Sequence, residues 1–122
     1  QAAAPAANKA ERIANGQRVY SSICAACHQP SGLGIAVAFP PLAGADYLNA
    51  DKKRAIATVV HGLSGPISVN GQPFNGVMPA LGLSDEDVAN ALTFVFSQWG
   101  NAGHEVASAE VKAVRAEPVK KP

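Results

Sequence analysis

The chain has 122 residues, 48% of them hydrophobic, and its 10 Lys and Arg nearly balance its 9 Asp and Glu, which leaves a net charge of +1 at pH 7. This length accommodates one modest domain. The near-neutral charge argues against nucleic acid or an anionic membrane surface as a partner, and no apolar run reaches the roughly 20 residues of a membrane-spanning helix.

The N-terminal part of the chain predicts one long helix that leads to the cysteines. Residues 1–7 are rich in Ala and Pro, and we expect them to be disordered. A helix is predicted to begin after Asn8, with Glu11 at the third helical position as in a capping box. Its apolar residues keep roughly helical spacing past Gly16, at Ile13, Tyr20, Ile23 and Cys27.

The middle of the chain alternates between Gly/Pro-rich loops and helices. Residues 29–48 and 64–83 are predicted to be loops, and Asn70-Gly71 in the second loop indicates a tight turn. Between these loops, a helix is predicted over residues 51–61.

The last long helix is the clearest element of the sequence. Ser84 is a good N-cap, and the three acidic residues that follow it favour the positive end of the helix dipole. Gly100 ends this helix. The remaining residues, 101–122, are predicted to be a tail or tether, too small and polar to bury itself, with a short helix around 108–115. The predicted domain therefore spans residues 8–100.

The chemistry lies in one motif, Cys24-Ala-Ala-Cys27-His28, which contains both cysteines of the chain. Cys-x-x-Cys-His is the attachment pattern for c-type haem. On one helical turn both sulfurs can form thioethers to the two vinyl groups, while the adjacent imidazole points at the iron. We therefore predict one covalent haem c bound by Cys24 and Cys27, with His28 as an axial ligand.

Three other interpretations of the motif are weaker. A thioredoxin-like dithiol needs a βαβ context, which this loop-rich helical chain does not offer. A zinc site needs about four ligands, and beyond the motif the candidates are isolated: His61, His104 and scattered acids. A disulfide at this spacing would be strained and would leave His28 unexplained.

Met78 is the predicted second axial ligand. It is the single methionine and lies in Gly76-Val77-Met78-Pro79. No Asp, Glu, Lys or Arg occurs in residues 19–45, which contain His28, or in 55–84, which contain Met78, as expected if both stretches line an apolar crevice. His61, in the second stretch, is the competing ligand. His/Met ligation leaves no open position on the iron and suits electron transfer, and thioether sulfur raises the reduction potential.

The residues beside these ligands predict a mostly apolar rim around the haem edge. They are residues 35–39 on one side and Val77, Pro79, Ala80 and Leu81 on the other. We expect partners to dock there weakly and transiently, with a mild dependence on salt, since redox encounters use small interfaces.

Over residues 8–100 the chain resembles the class I cytochrome c family. The resemblance rests on the N-terminal helix, the cysteine motif, Pro40-Pro41-Leu42-Ala43-Gly44, the Met78 loop and a closing helix with Trp99. It implies an all-α fold, the class I cytochrome c fold, in which three to five short helices and Gly/Pro-rich loops wrap around one covalent haem.

The same resemblance implies roles for four further positions. Pro40 and Leu42 would contact the haem, and the Pro40 carbonyl would accept the Nδ1 hydrogen of His28 and so fix its tautomer. Gly16 and Tyr20 would pack against the last helix near Leu92 and Val95.

The segment from His61 to Pro79 is similar to the haem domains fused or tethered to copper nitrite reductases and to small cytochromes serving other periplasmic oxidoreductases. This likeness implies transfer from an upstream electron donor to a type 1 copper site. Gln1-Ala-Ala-Ala-Pro fits a mature end after signal-peptide removal, so we expect a periplasmic protein. Two alternatives remain: a freely diffusing carrier for another oxidoreductase, and a haem enzyme or gas sensor with a labile Met ligand.

Overall fold

In a computed structural model, residues 5–117 of the chain are described. The first four residues of the predicted disordered N-terminus and the last five of the predicted tail lie outside this range. A π-helical segment, Tyr20–Cys24, joins the first two helices into one continuous rod. The helices are α1 (Lys9–Val19), α2 (Ala25–His28), α3 (Asp46–Asn49), α4 (Lys52–His61), α5 (Asp85–Ser97) and α6 (Ser108–Arg115), and the strands are β1 (Leu63–Val69) and β2 (Gln72–Met78).

With the N-terminal rod counted as one helix, the described residues form five helices around a shared core, which confirms the predicted helical fold. None of these helices is long and apolar enough to cross a membrane. The rod crosses α5, the central helix, and an aromatic cluster fills this junction. The ring centroid of Tyr20 lies 5.5 Å from that of Phe94 and 5.6 Å from that of Trp99. Gly16 and Tyr20 therefore meet α5 on a different face from the predicted one at Leu92 and Val95, against Asn90 and Phe94.

The predicted helix starts are confirmed by their caps. The Asn8 side chain accepts a hydrogen bond from Glu11 N (2.9 Å), and the Ser84 hydroxyl accepts one from Asp87 N (3.1 Å). The capping box at α1 is displaced by one residue, because Glu11 Oε1 accepts from Ala7 N rather than from Asn8 N. Each cap satisfies an amide that the first helical turn leaves without a partner.

Residues 63–78 form an antiparallel hairpin where the sequence predicts a loop. The predicted Asn-Gly turn is confirmed: Asn70 and Gly71 have φ values of 51° and 79°, which suit a type I′ turn. Prolines at 66 and 73 obscure the strand pattern. They are tolerated because a two-stranded sheet consists of edge strands, where one missing N–H need not break the ladder.

The segment after Gly100 packs onto the domain, contrary to the expectation that it cannot bury itself. Val106, Val111 and Val114 are buried in the core cluster, and α6 lies against α4 and α5. The buried Thr93 hydroxyl accepts a hydrogen bond from Val106 N at 2.9 Å. The short helix predicted at 108–115 is confirmed. Three valines are enough to dock this segment because they pack against apolar side chains of α4 and α5.

Candidate haem site

The six residues singled out from the sequence line one cavity between the rod, α4, α5 and the hairpin. They come from three parts of the chain: the rod (Cys24, Cys27, His28), the loop after it (Pro40, Leu42) and the end of β2 (Met78). The π-helical segment ends at Cys24, where Ala25 N donates to Tyr20 O five residues back. Such a turn rotates the residues that follow it relative to a regular helix, and π-turns are frequent at functional sites.

The two cysteines are free thiols with different surroundings. Cys24 is half-buried and Cys27 is exposed. Burial, with a smaller contribution from Cys27, raises the pKa of the Cys24 thiol to about 11. Dithiol oxidoreductases need a lowered thiol pKa, so this pair does not suit a thioredoxin-like reaction. Its placement on one turn at the cavity edge suits thioether attachment.

His28 is buried and held by the backbone of the following loop. Its Nδ1 lies 2.9 Å from the Pro40 carbonyl oxygen, which confirms the contact implied by the family resemblance. A carbonyl can only accept, so Nδ1 carries the hydrogen and Nε2 keeps its lone pair for a metal. Burial lowers the pKa of His28, against a smaller opposing effect of the Pro40 hydrogen bond. The neutral imidazole that iron requires is therefore favoured.

Met78 is the last residue of β2 and also lines the cavity, whereas His61 does not. Pairing of Met78 with Leu63 in the hairpin fixes the start of the loop that follows. The His61 ring turns to the other side of α4, where its Nε2 lies 3.1 Å from the Val114 carbonyl oxygen. The geometry therefore favours Met78 over the rival ligand.

The remaining cavity wall is almost wholly apolar, as the binding of a haem macrocycle requires. Helices α4 and α5 contribute Ala55, Thr58, Val59, Ala91, Leu92 and Val95, and the hairpin contributes Leu63, Gly65, Ile67, Val69, Phe74, Gly76 and Val77. The sequence does not predict that the hairpin residues form part of the cavity wall, because this segment is predicted to be a loop. Alternate residues from 63 to 69 face the cavity, as expected for one face of a strand, and this alternation could have indicated the wall.

The zinc and disulfide interpretations find no support in this geometry. Within residues 5–117, no group of three or more His, Cys, Asp or Glu side chains is placed to hold a metal ion. Cys24 and Cys27 are not bonded to each other. The donors at the cavity are two thiols, one imidazole and one thioether, which is the set that a covalently attached, six-coordinate haem needs.

Comparison with known proteins decides the family. The family model for cytochrome c matches residues 13–99, which span the cysteine motif, the Met78 loop and α5. The chain belongs to the cytochrome c family. It is a class I, mono-haem cytochrome c with one covalent haem c, and it acts as an electron carrier and not itself as an enzyme.

The cytochrome is similar to both small and large curated relatives. It is 42% identical over 113 residues to cytochrome c-552 of Thermus thermophilus, an alignment that covers 84% of this chain and 86% of the relative. It is 34% identical over 113 residues to the cytochrome c subunit of a quinone alcohol dehydrogenase from Gluconobacter oxydans, over 88% of this chain and 23% of that subunit. The fructose dehydrogenase cytochrome subunit of Gluconobacter japonicus is 31% identical, again over 23% of its length.

Proposed function

We propose that the cytochrome carries single electrons outside the cytoplasm through a haem c attached to Cys24 and Cys27, with His28 and Met78 as axial ligands. The observation that carries this proposal is the single apolar cavity at which these four side chains meet, together with Pro40 and Leu42. The proposed haem-binding domain spans residues 8–100, with residues 101–117 packed onto it.

In this proposal each side chain has a defined task. The bound haem iron supplies a one-electron couple. The Pro40 carbonyl orients His28, and Met78 occupies the position that oxygen or peroxide would need. The apolar wall excludes water, so that few solvent dipoles reorganise when the charge changes. Cys27 is exposed and marks the edge of the cavity that is closest to a docking partner.

An exposed set of apolar side chains supports docking at this edge. Of the residues predicted around the haem edge, Ile35, Val37 and Val77 are large, apolar and exposed. We name these three residues and the exposed Leu33 the apolar rim; Val37 is 86% exposed and Val77 is 74% exposed. Val37 also has φ of 70°, a left-handed conformation that is costly for a β-branched residue. Neither its exposure nor its strain benefits folding, which supports a role for Val37 in binding.

Two kinds of redox partner are consistent with the chain. The resemblance of residues 61–79 to haem domains of copper nitrite reductases supports a type 1 copper site as electron acceptor. The similarity to cytochrome subunits of alcohol and fructose dehydrogenases supports a dehydrogenase as electron donor. One carrier can accept an electron from a dehydrogenase and then donate it to a reductase. We propose donation to a periplasmic reductase as its principal role.

Replacement of Met78 tests the ligation. In the haem-loaded wild-type protein we expect a low-spin, sulfur-ligated spectrum that carbon monoxide leaves unchanged. Met78→Ala should leave one axial position of the iron without a protein ligand. The ferrous variant should then bind carbon monoxide rapidly, and its reduction potential should be lower than that of the wild type. Ready carbon monoxide binding by the wild type would instead identify a haem enzyme or gas sensor. An unchanged Met78→Ala spectrum would point to His61.

Mixing experiments test the partner. The reduced cytochrome is mixed with a copper nitrite reductase, and its oxidation is followed by its visible spectrum. The oxidised cytochrome is mixed in parallel with a quinone alcohol dehydrogenase and ethanol. Rapid oxidation in the first experiment supports the proposed acceptor. Reduction in the second without oxidation in the first would replace it with a role in a dehydrogenase chain. Fractionation of cells producing the natural gene product tests the compartment.

A further inference from the structure

Helix α6 contacts the chain on both sides of the segment that contains Met78. Residues 79–84 connect Met78 to α5 without helix or strand, and we call residues 78–84 the Met78 loop. Among the described residues, 79–83 take part in no backbone–backbone hydrogen bond outside the regular elements. This loop therefore depends on contacts from other parts of the chain to hold its shape.

The first contact lies just upstream of the hairpin. His61 Nε2 lies 3.1 Å from the carbonyl oxygen of Val114 in α6, so the ring nitrogen donates this hydrogen bond. His61 is followed by Gly62, which has φ of 80° and lies against the loop itself. A Cβ at Gly62 would be 2.8 Å from Met78 O and 2.9 Å from Ala80 N. The backbone that His61 anchors is thus in direct contact with the backbone of Met78.

The second contact lies at the downstream end of the loop and comes from the next residue of α6. Arg115 donates from its terminal guanidinium nitrogen to the Leu83 carbonyl oxygen (2.8 Å) and from Nε to Asp85 Oδ1 (2.8 Å). Leu83 lines the haem cavity. One guanidinium therefore ties the end of the Met78 loop to the start of α5.

Helix α6 is itself firmly placed. Val111 and Val114 are buried in the core, and Glu110 near its start pairs with Lys52 at 2.9 Å. Two consecutive residues of a docked helix, Val114 and Arg115, thus bracket the Met78 loop. A salt bridge on a partly exposed surface contributes little stability by itself, but its position here can set the geometry of the loop.

We propose that His61 and Arg115 are positioning residues that use α6 to hold the Met78 loop, and so keep the Met78 thioether on the haem iron. This inference rests on the proposed His28/Met78 ligation. In this arrangement, release of α6 loosens the iron–sulfur bond before the domain unfolds. The C-terminal segment then acts as a brace for the redox site and not merely as a cover for the core.

The test uses the haem-loaded full chain and the variants His61→Ala, Arg115→Ala and the double variant. Arg115 is suitable because its side chain is 38% exposed, so alanine there leaves no cavity. Lys53→Ala is the matched control, since it breaks the neighbouring Lys53–Glu117 pair (3.0 Å) without touching the Met78 loop. His61→Gln retains a donor and serves as the conservative variant.

Three readouts separate positioning from stability: the sulfur–iron absorption band of the ferric protein, the rate of carbon monoxide binding by the ferrous protein, and the unfolding midpoint. We expect Arg115→Ala and His61→Ala to bind carbon monoxide about tenfold faster than wild type while still folded, since each loses a hydrogen bond that holds the loop. The double variant should weaken the sulfur–iron band, His61→Gln should recover most of the wild-type behaviour, and Lys53→Ala should match wild type.

The outcomes distinguish the two proposals. A wild-type protein without the sulfur–iron band would contradict the Met78 ligation itself. In a second outcome, the wild type has the band while the folded His61→Ala and Arg115→Ala variants bind carbon monoxide as slowly as wild type. This result would overturn the positioning role of His61 and Arg115 and leave the Met78 ligation intact. Acceleration by Lys53→Ala equal to that by Arg115→Ala would show general loosening of α6 and would also overturn the specific roles of His61 and Arg115.

Discussion

Gly16 and Asn90 bring the backbones of α1 and α5 into direct contact. A Cβ built on Gly16 would lie 1.9 Å from the carbonyl oxygen of Asn90 and 2.8 Å from Cβ of Phe94. A glycine inside a helix costs up to about 1 kcal/mol relative to alanine. The close crossing compensates for this cost, because only a residue without a side chain lets the two helix backbones approach so closely.

Gly16→Ala should therefore destabilise the protein although alanine is the better helix former. Forced separation of two packed helices costs about 1–3 kcal/mol. Urea unfolding of the haem-loaded protein measures the change in the free energy of unfolding. Gln17→Ala, at the exposed neighbouring position, is the control and should stay within about 0.5 kcal/mol of wild type. Equal or greater stability of Gly16→Ala would mean that the helices can separate without penalty.

Most of the site could be predicted from the sequence because its signals are local. The cysteines and His28 lie within one helical turn, and Met78 is the single methionine of the chain. Helix starts at Asn8 and Ser84 were predictable for the same reason, since each cap bonds an amide three residues away. The contact between His28 and Pro40 required the family resemblance, because a backbone carbonyl leaves no mark in the sequence.

The hairpin and the docking of the C-terminal segment were not predictable in this way. Strand pairing of Leu63 with Met78 joins residues 15 apart, and prolines in both strands hide the alternation of facing residues. The burial of Val106 depends on the Thr93 hydroxyl and on the far side of α5, which local composition does not describe. A segment that is polar on average is still buried where its few apolar side chains meet a prepared surface.

Val111→Ala tests whether α6 is part of the folded domain. The Val111 side chain is 0% exposed, and removal of two buried methyl groups leaves a small cavity. The expected loss in the free energy of unfolding is about 1–3 kcal/mol. Lys112→Ala, at the exposed next position, should change it by less than about 0.5 kcal/mol. Unchanged stability in Val111→Ala would indicate that the segment is detached from the domain in solution.

Burial of Tyr20 makes the stability of the folded protein fall at alkaline pH. The side chain is 2% exposed and donates to the Gln29 carbonyl oxygen at 2.6 Å. Burial raises the pKa of Tyr20 from 10.0 to about 12, with a smaller contribution from the Cys24 thiol that thioether attachment of haem would remove. The folded state therefore holds the phenol proton more tightly than the unfolded state does, so the contribution of Tyr20 is complete below pH 10 and is lost as the pH rises through 12.

Denaturant midpoints measured across this range check the Tyr20 prediction. The wild-type midpoint should fall as the pH rises from 10 to 12. Tyr20→Phe should begin at a lower midpoint, because the Gln29 carbonyl loses its donor, and should show a shallower fall. Tyr47→Phe, which removes the other tyrosine, is the matched control. Equal slopes in wild type and Tyr20→Phe would assign the alkaline loss to other groups.

The apolar rim predicts how charge at the docking surface changes electron transfer. Val37→Asp and Val77→Asp each place a carboxylate at an exposed position within a stretch of sequence that has no Asp, Glu, Lys or Arg. Docking would remove water from this carboxylate, which is energetically unfavourable. We expect transfer to the partner to slow about tenfold at 0.15 M salt, with the reduction potential nearly unchanged. Ala113→Asp adds the same charge to an exposed position on α6 and should transfer electrons as wild type does.

The rate of electron transfer by the wild type should change little with added salt, because the desolvation of valine side chains involves no interaction between charges. A steep loss of the wild-type rate with added salt, or equal slowing by Ala113→Asp, would mean that long-range charge governs the encounter and not contact with Val37 and Val77.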